Sequence, residues 1–315
     1  MGSMTTRRWV VTGMGVGGFG ALGALATAAY RVAPAFWNQY WSEMKRDIVQ
    51  PSARPDFSKW GDKGLQVAWL GHSTVLVKMD GFTFITDPVF SEKAGLHFGP
   101  LSLGVKRLVY PAADLKDLPK VDAVLVSHAH MDHFDIPSLR KLEAKDRELI
   151  TAVSTSDLLR VGRYKSVNEL RWGERRQVGP LTIQALQVNH WGARMRTDSY
   201  RGYNGYLIEN GRYRVLFAGD TAATDAFREV RSSKPVDVAI LPIGAYNPWI
   251  RVHCTPEQAW RMGSDAGAEL MIPVHHQTFV LSREPRTEPI ERFMACAGRH
   301  DDRVPVRSIG QELHI

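Results

Sequence analysis

His128-Ala129-His130-Met131-Asp132-His133 packs four side chains of metal-ligating type into six residues. The segment follows Asp122–Ser127, a short apolar run that reads as a strand. In extended or loop backbone His128 and His130 project to one side. The turn after them brings Asp132 and His133 to a neighbouring point. Two ligand clusters this close suit two cations sharing a bridging oxygen. Imidazole and carboxylate suit zinc, iron or manganese, whereas a closed structural zinc site draws on cysteine. The chain has two cysteines, Cys254 and Cys296, so a disulfide scaffold and a Cys-rich zinc ribbon are excluded.

Working outward, other apolar runs end the same way. Val67–Leu70 leads to Gly71-His72, and Phe82–Thr86 to Asp87-Pro88. Leu181–Gln187 leads to Asn189-His190, Tyr213–Ala218 to Gly219-Asp220, and Leu270–Val274 to His275-His276. Thr74–Met79, Tyr206–Glu209 and Val236–Pro242 complete the predicted strands. Asp80-Gly81 and Asn210-Gly211 supply two hairpin turns. Thr255-Pro256-Glu257-Gln258 reads as a helix start, with Thr at the cap and Gln at the capping-box position. If these strands share a sheet system, His128, His190, Asp220 and His275 converge on one rim.

The 315 residues suit one large domain or two small ones, and 44% hydrophobic with 23% charged residues excludes wholesale disorder. The net charge of +7 is uneven, with +3 in the first 50 residues and +4 over the remaining 265. That is too mild to argue for nucleic acid.

Met1-Gly2-Ser3 reads as an expression scar. After Arg7-Arg8 come 22 uncharged residues, Trp9 to Tyr30, which as a helix would span roughly 33 Å. Thr6-Arg7-Arg8-Trp9 resembles a twin-arginine export signal, and Ala26-Thr27-Ala28 offers a cleavage site. The expected organisation is an export signal or membrane anchor over 1–34, an amphipathic helix and linker over 35–59, and the main domain, with the histidine clusters, over 60–315. Phe36, Trp37, Tyr40, Trp41 and Met44 form an aromatic stripe that suits either core packing or a membrane interface. The expected location is a bacterial cell envelope, periplasmic or membrane-anchored.

His128-x-His130-x-Asp132-His133, with His190, Gly219-Asp220 and His275, resembles the metallo-β-lactamase superfamily. The resemblance implies an α/β (α+β) fold, a four-layer αββα sandwich with its site on one edge. Trp69-Leu70-Gly71-His72-Ser73-Thr74, Thr86-Asp87-Pro88-Val89-Phe90, His190-Trp191-Gly192 and His275-x-x-Thr278-Phe279 are similar to one branch. That branch holds the N-acylphosphatidylethanolamine-hydrolysing phospholipase D and related bacterial envelope proteins. It implies that His128, His130 and His190 hold one zinc, that Asp132, His133 and His275 hold the other, and that Asp220 bridges them. Iron or manganese would also suit these donors. His276-Gln277 stands where the branch has Trp-Gly. His276 therefore competes for the ligand role, although Thr278-Phe279 puts His275 in register.

Asp132, Asp220 and His253 are expected to carry the chemistry, the two aspartates as ligands and His253 at the substrate. Asp87 is expected to orient a ligand histidine, and His72 to line the edge. Tyr246 and Asn247 are expected to line the pocket, with turn chemistry an equal account of Asn247. Two cations about 3.5–4 Å apart acidify a shared water, so that hydroxide is available near neutral pH. The expected reaction is phosphodiester hydrolysis on a phospholipid, with a membrane surface as partner. A lactonase or sugar-phosphate lactone hydrolase is the first alternative, and a membrane-anchored binding module with a vestigial site the second. Redox di-iron relatives would carry Glu where His130 stands. Nucleic-acid processing enzymes of this superfamily need a large insert, and only 55 positions separate Asp220 from His275.

Overall fold

A computed structural model describes residues 41–99, 101–195, 197–231 and 234–315. The chain divides into two units, Met1–Asp47 and Ile48–Ile315. In the first, residues 41–45 are helical and Arg46 pairs with Glu43 at 2.9 Å. The expected export segment, Trp37 and the rest of the stripe up to Tyr40 lie outside the described residues. Among the described residues, no helix is long and apolar enough to cross a membrane.

In the second unit, β1 (Leu65–Gly71), β2 (Thr74–Met79) and β3 (Phe82–Thr86) open a first sheet, and β4 (Lys93–Phe98) and β5 (Leu101–Lys106) form a separate ribbon. The first sheet continues with β6 (Ala123–Leu125), β7 (Glu148–Ala152) and β8 (Ser166–Leu170), with α1 (Ile136–Lys141) between β6 and β7. A second sheet holds β9 (Arg175–Val178), β10 (Leu181–Leu186), β11 (Gly205–Glu209), β12 (Arg214–Phe217), β13 (Val236–Pro242) and, after α2 (Pro256–Asp265), β14 (Ala268–Val274). After α3 (Glu288–Ala297), β15 (Glu312–His314) returns to the first sheet beside β1.

Sheet orders β15-β1-β2-β3-β6-β7-β8 and β14-β13-β12-β11-β10-β9 explain why polar residues gather on one rim. In the first sheet β1, β2 and β3 alternate in direction and β6 runs parallel to β3. The C-terminal ends of β1, β3 and β6 therefore share an edge, which carries His72, Asp87 and His128. In the second, β10 to β12 alternate, and β12, β13 and β14 are parallel. The ends of β10, β12 and β14 share an edge in the same way, carrying His190, Asp220 and His275.

Side-chain alternation divides the second sheet between two cores. Tyr206, Ile208, Val215, Phe217, Val238 and Ile240 join Val67, Trp69, Phe84 and Val124 of the first sheet in one cluster. Leu207, Leu216, Ala239 and Leu241 face the other way, onto Ala259 and Met262 of α2 and Phe293 of α3. The layers are those of the expected sandwich. The helix start at Thr255 is borne out by a full capping box between Thr255 and Gln258.

Candidate metal centre

Three histidine nitrogens meet on one side of the rim. His128 Nε2 lies 2.8 Å from His130 Nδ1, which lies 3.2 Å from His190 Nε2. Bonds on the far side of each ring fix which nitrogen faces inward. His190 donates from Nδ1 to the Val252 carbonyl at 2.7 Å. Ser127 Oγ donates to Asp87 Oδ2 at 2.6 Å, so it accepts from His128 Nδ1 at 2.8 Å. With Nδ1 protonated outward, His128 and His190 turn unprotonated Nε2 atoms toward the cluster, the arrangement a metal ligand needs. Burial, reinforced by the neighbouring histidines, holds His128 well below the ordinary imidazole range and His130 at about 4.

The second group forms around Asp132, His133 and His275. His133 Nε2 and His275 Nε2 each lie 3.5 Å from Asp132 Oδ2, and each lies 3.1 Å from Asp220 Oδ2. Asp220 Oδ2 is also 3.8 Å from His190 Nε2, so one buried carboxylate faces both groups. Burial opposes ionisation of Asp132 and Asp220, but the surrounding histidines, His133 foremost, hold both well below the usual carboxylate range. Burial likewise opposes charge on His275, but Asp220 and Asp132 outweigh it and lift the imidazole to about 9. The cluster draws positive charge inward, and its buried donors match a cation site. Among the described residues, four groupings are compatible with a metal ion: His128 with His130 and His190, Asp132 with His133, His275 and His72, Asp87 with His128 and His133, and Asp220 with His190 and His253.

The rim strands position these groups at a conformational cost. His72, Asp87 and His275 all have positive φ, at 52°, 33° and 61°. Such backbone costs of order 1–3 kcal/mol per residue and persists where surrounding bonds over-determine it. Those bonds are present. The His72 carbonyl accepts from Trp69 Nε1 at 2.7 Å and from His275 N at 3.1 Å, and His72 N donates to Thr278 Oγ1 at 2.7 Å. Gly219, at φ 58°, precedes Asp220 where a Cβ would lie 2.7 Å from the Asn204 carbonyl, so a side chain there would push Asp220 out of place.

Asp87 orients His133, accepting from its Nδ1 at 2.7 Å. His72 reaches Asp132 Oδ2 with Nε2 at 3.0 Å. His253 Nδ1 stands 3.8 Å from Asp220 Oδ2, and burial brings its imidazole down to about 3. His276 does not join either group; it packs its ring on Trp69 at 4.7 Å. Tyr246 departs from expectation: its hydroxyl donates to Glu288 Oε1 at 2.7 Å, and the Arg292 guanidinium lies over its ring. It braces α3 and makes no bond to the ligand cluster. Asn247 follows the turn account, its backbone N donating to Glu284 and its carbonyl accepting from Arg283.

Two contributors escaped the sequence reading. Ser127 links His128 to Asp87, and its position directly before the motif was the available signal. Arg194 donates from Nη1 to the carbonyls of Ala129 at 3.2 Å and Phe134 at 2.7 Å, clamping the ligand loop at both ends. Its place four residues after His190 gave no such hint.

Residues 83–276 match the family model of a β-lactamase superfamily domain. An uncharacterized protein of Mycobacterium tuberculosis is 34% identical over 272 residues, covering 84% of this chain and 72% of that one. The N-acyl-phosphatidylethanolamine-hydrolyzing phospholipase D 1 of Caenorhabditis elegans is 30% identical over 259 residues, covering 76% of this chain and 72% of the relative. Among solved structures, the metallo hydrolase Igni18 of Ignicoccus hospitalis superposes with a TM-score of 0.60 at 22% identity, covering 80% of this chain and 99% of that one. Sequence and fold agree: the chain belongs to the metallo-β-lactamase superfamily.

Proposed function

We propose that this protein is a dinuclear, zinc-dependent phosphodiesterase that cleaves a phospholipid at the head-group side of its phosphate. The observation that carries this reading is Asp220 Oδ2, 3.1 Å from His133 Nε2 and His275 Nε2 and 3.8 Å from His190 Nε2. One carboxylate so placed would serve two cations, with His128, His130 and His190 to hold the first and Asp132, His133 and His275 the second. When bound, the pair supplies charge neutralisation for phosphoryl oxygens and acidifies the attacking water.

The chain's own groups then have separate tasks. Asp132 and Asp220 are occupied as ligands and leave the handling of substrate to others. His253, at the edge of the cluster, presents a ring nitrogen to the substrate oxygens beside Asp220. Asp87 and Ser127 fix the rings of His133 and His128, so the site is organised before substrate arrives. His72 and Arg194 hold Asp132 and the ligand loop. The choice of a phospholipid draws support from the curated phospholipase D relative. We place the enzyme at a membrane surface in the cell envelope, on the strength of the N-terminal segment.

Activity of zinc-loaded protein across phospholipid, soluble diester and lactone panels tests the reading. It predicts release of the head-group alcohol with phosphate left on the lipid. Lactone turnover without diester turnover would replace it with a lactonase.

A further inference from the structure

The β4–β5 ribbon belongs to neither sheet. Directly opposed residues on an antiparallel pair share a face, and faces alternate along the strand. Ala94–Val105, Leu96–Leu103 and Phe98–Leu101 therefore form one wholly apolar face, while Lys93–Lys106, Gly95–Gly104 and His97–Ser102 form the other. The glycine pair presses the strands together: a Cβ on Gly95 would lie 1.9 Å from the Leu103 carbonyl oxygen. At the foot, Ala94 clusters with Val89 and Phe279, with Val105 and Leu281 packed against them. At the tip the same face is open, with Phe98 59%, Leu101 58% and Leu103 49% exposed.

The ribbon stands beside the metal centre. The Phe279 ring beneath its foot lies 5.1 Å from His72, and His97 on its polar face is 3.4 Å from Asp135. A second apolar projection adjoins it. Trp249 donates from Nε1 to the Leu281 carbonyl at 3.3 Å, and Trp249 and Ile250 are 53% and 44% exposed. Arg251, next to Ile250, and Arg283 and Arg286, shortly after Leu281, are exposed, against a Glu284 that accepts from Ala245 N and Ser282 Oγ, while Lys93 at the foot of the ribbon donates to the Ser102 carbonyl at 3.0 Å.

We propose that the ribbon tip inserts into the head-group layer of an anionic phospholipid bilayer, with the surrounding cations on its phosphates. An apolar wedge with a cationic fringe is the pattern of an interfacial anchor, whose binding combines buried apolar area with attraction to anionic lipid. A second copy of the chain fits less well. The three exposed tip side chains offer roughly 300 Å², well under the roughly 800 Å² per partner of a stable interface. This proposal deepens the phospholipid reading, and its test needs no turnover.

The full chain is compared with a Phe98→Ser/Leu101→Ser variant by co-sedimentation with phosphatidylcholine–phosphatidylglycerol vesicles, together with melting midpoint and light-scattering mass. The parent chain should partition onto the vesicles, less so as salt rises. The double variant should partition at least about tenfold less, with midpoint and mass unchanged, and Phe98→Trp should retain binding. If the double variant lowers the midpoint, Leu101→Asn takes its place with the same expectation. A parent chain that ignores vesicles, variants that bind as the parent does, or a dimer mass lost with the tip would each overturn the proposal. Tip-dependent vesicle binding without diester hydrolysis would instead sink the phosphodiesterase reading and leave this one standing.

Discussion

Asp87 and His133, 46 positions apart in sequence, meet in a fully buried 2.7 Å bond from Nδ1 to Oδ2. The same carboxylate accepts from Ser127, and through it orients His128. One carboxylate therefore orients a ring in each of the two histidine clusters.

Asp87→Asn should keep the shape of this network and spoil its acceptor pattern. Outer-shell changes of this kind typically cost 10–100-fold in metal affinity, on the order of 1–3 kcal/mol. Competition against a chromophoric chelator measures it. Unchanged affinity at both sites would contradict the assigned role.

His275 and His276 should behave oppositely. His275→Ala removes an atom 3.1 Å from Asp220 Oδ2 and should abolish turnover. His276→Ala should leave metal content nearly unchanged and cost stability, about 1–3 kcal/mol for a cavity beside Trp69. Metal analysis and urea midpoints on both variants check the assignment. The reverse result would shift the ligand register by one residue.

Arg292 bridges Glu257 of α2 and Glu288 of α3 through bonds of 2.8 Å. Its hydrogen-bonded guanidinium holds the Glu257 carboxyl down at about 2 against an ordinary 4.5. A depressed carboxyl stabilises the fold above its ordinary value, and that stability is lost as pH falls toward 2. With Glu257 47% exposed, the pair is worth at most about 1 kcal/mol. Arg292→Ala should therefore lower the melting midpoint by about 2–4 °C at neutral pH. The gap should narrow between pH 4.5 and 2, and a gap that widens in acid would contradict it.

The N-terminal stripe makes a separate prediction. Deleting residues 1–34 should yield soluble protein that still hydrolyses a small diester. Trp37→Ser with Trp41→Ser in the full chain should weaken liposome binding at least about tenfold without unfolding, since each buried aromatic contributes ~1.5–3 kcal/mol. Collapsed thermal stability with membrane affinity intact would assign the stripe to the core.

The rim was legible in the sequence because each candidate ligand follows an apolar run, and strand direction then leaves no choice of edge. Thr74–Met79, Phe82–Thr86 and Val236–Pro242 stand where the pattern put them. The ribbon was not legible: Gly95, Gly99 and Gly104 interrupt the apolar pattern, and its stripe emerges only when the two strands are registered. Tyr246 was misdirected for a related reason. A residue after a buried strand can turn to either side, and Glu288 and Arg292, far along the chain, decide it.

Metal content of gel-filtered, zinc-equilibrated protein tests the central claim most directly. The account predicts close to two equivalents per chain, and Asp220→Ala should lose activity and most of one equivalent. Stoichiometry near zero with hydrolysis retained, or an unchanged metal count in Asp220→Ala, would contradict a dinuclear site bridged by this carboxylate.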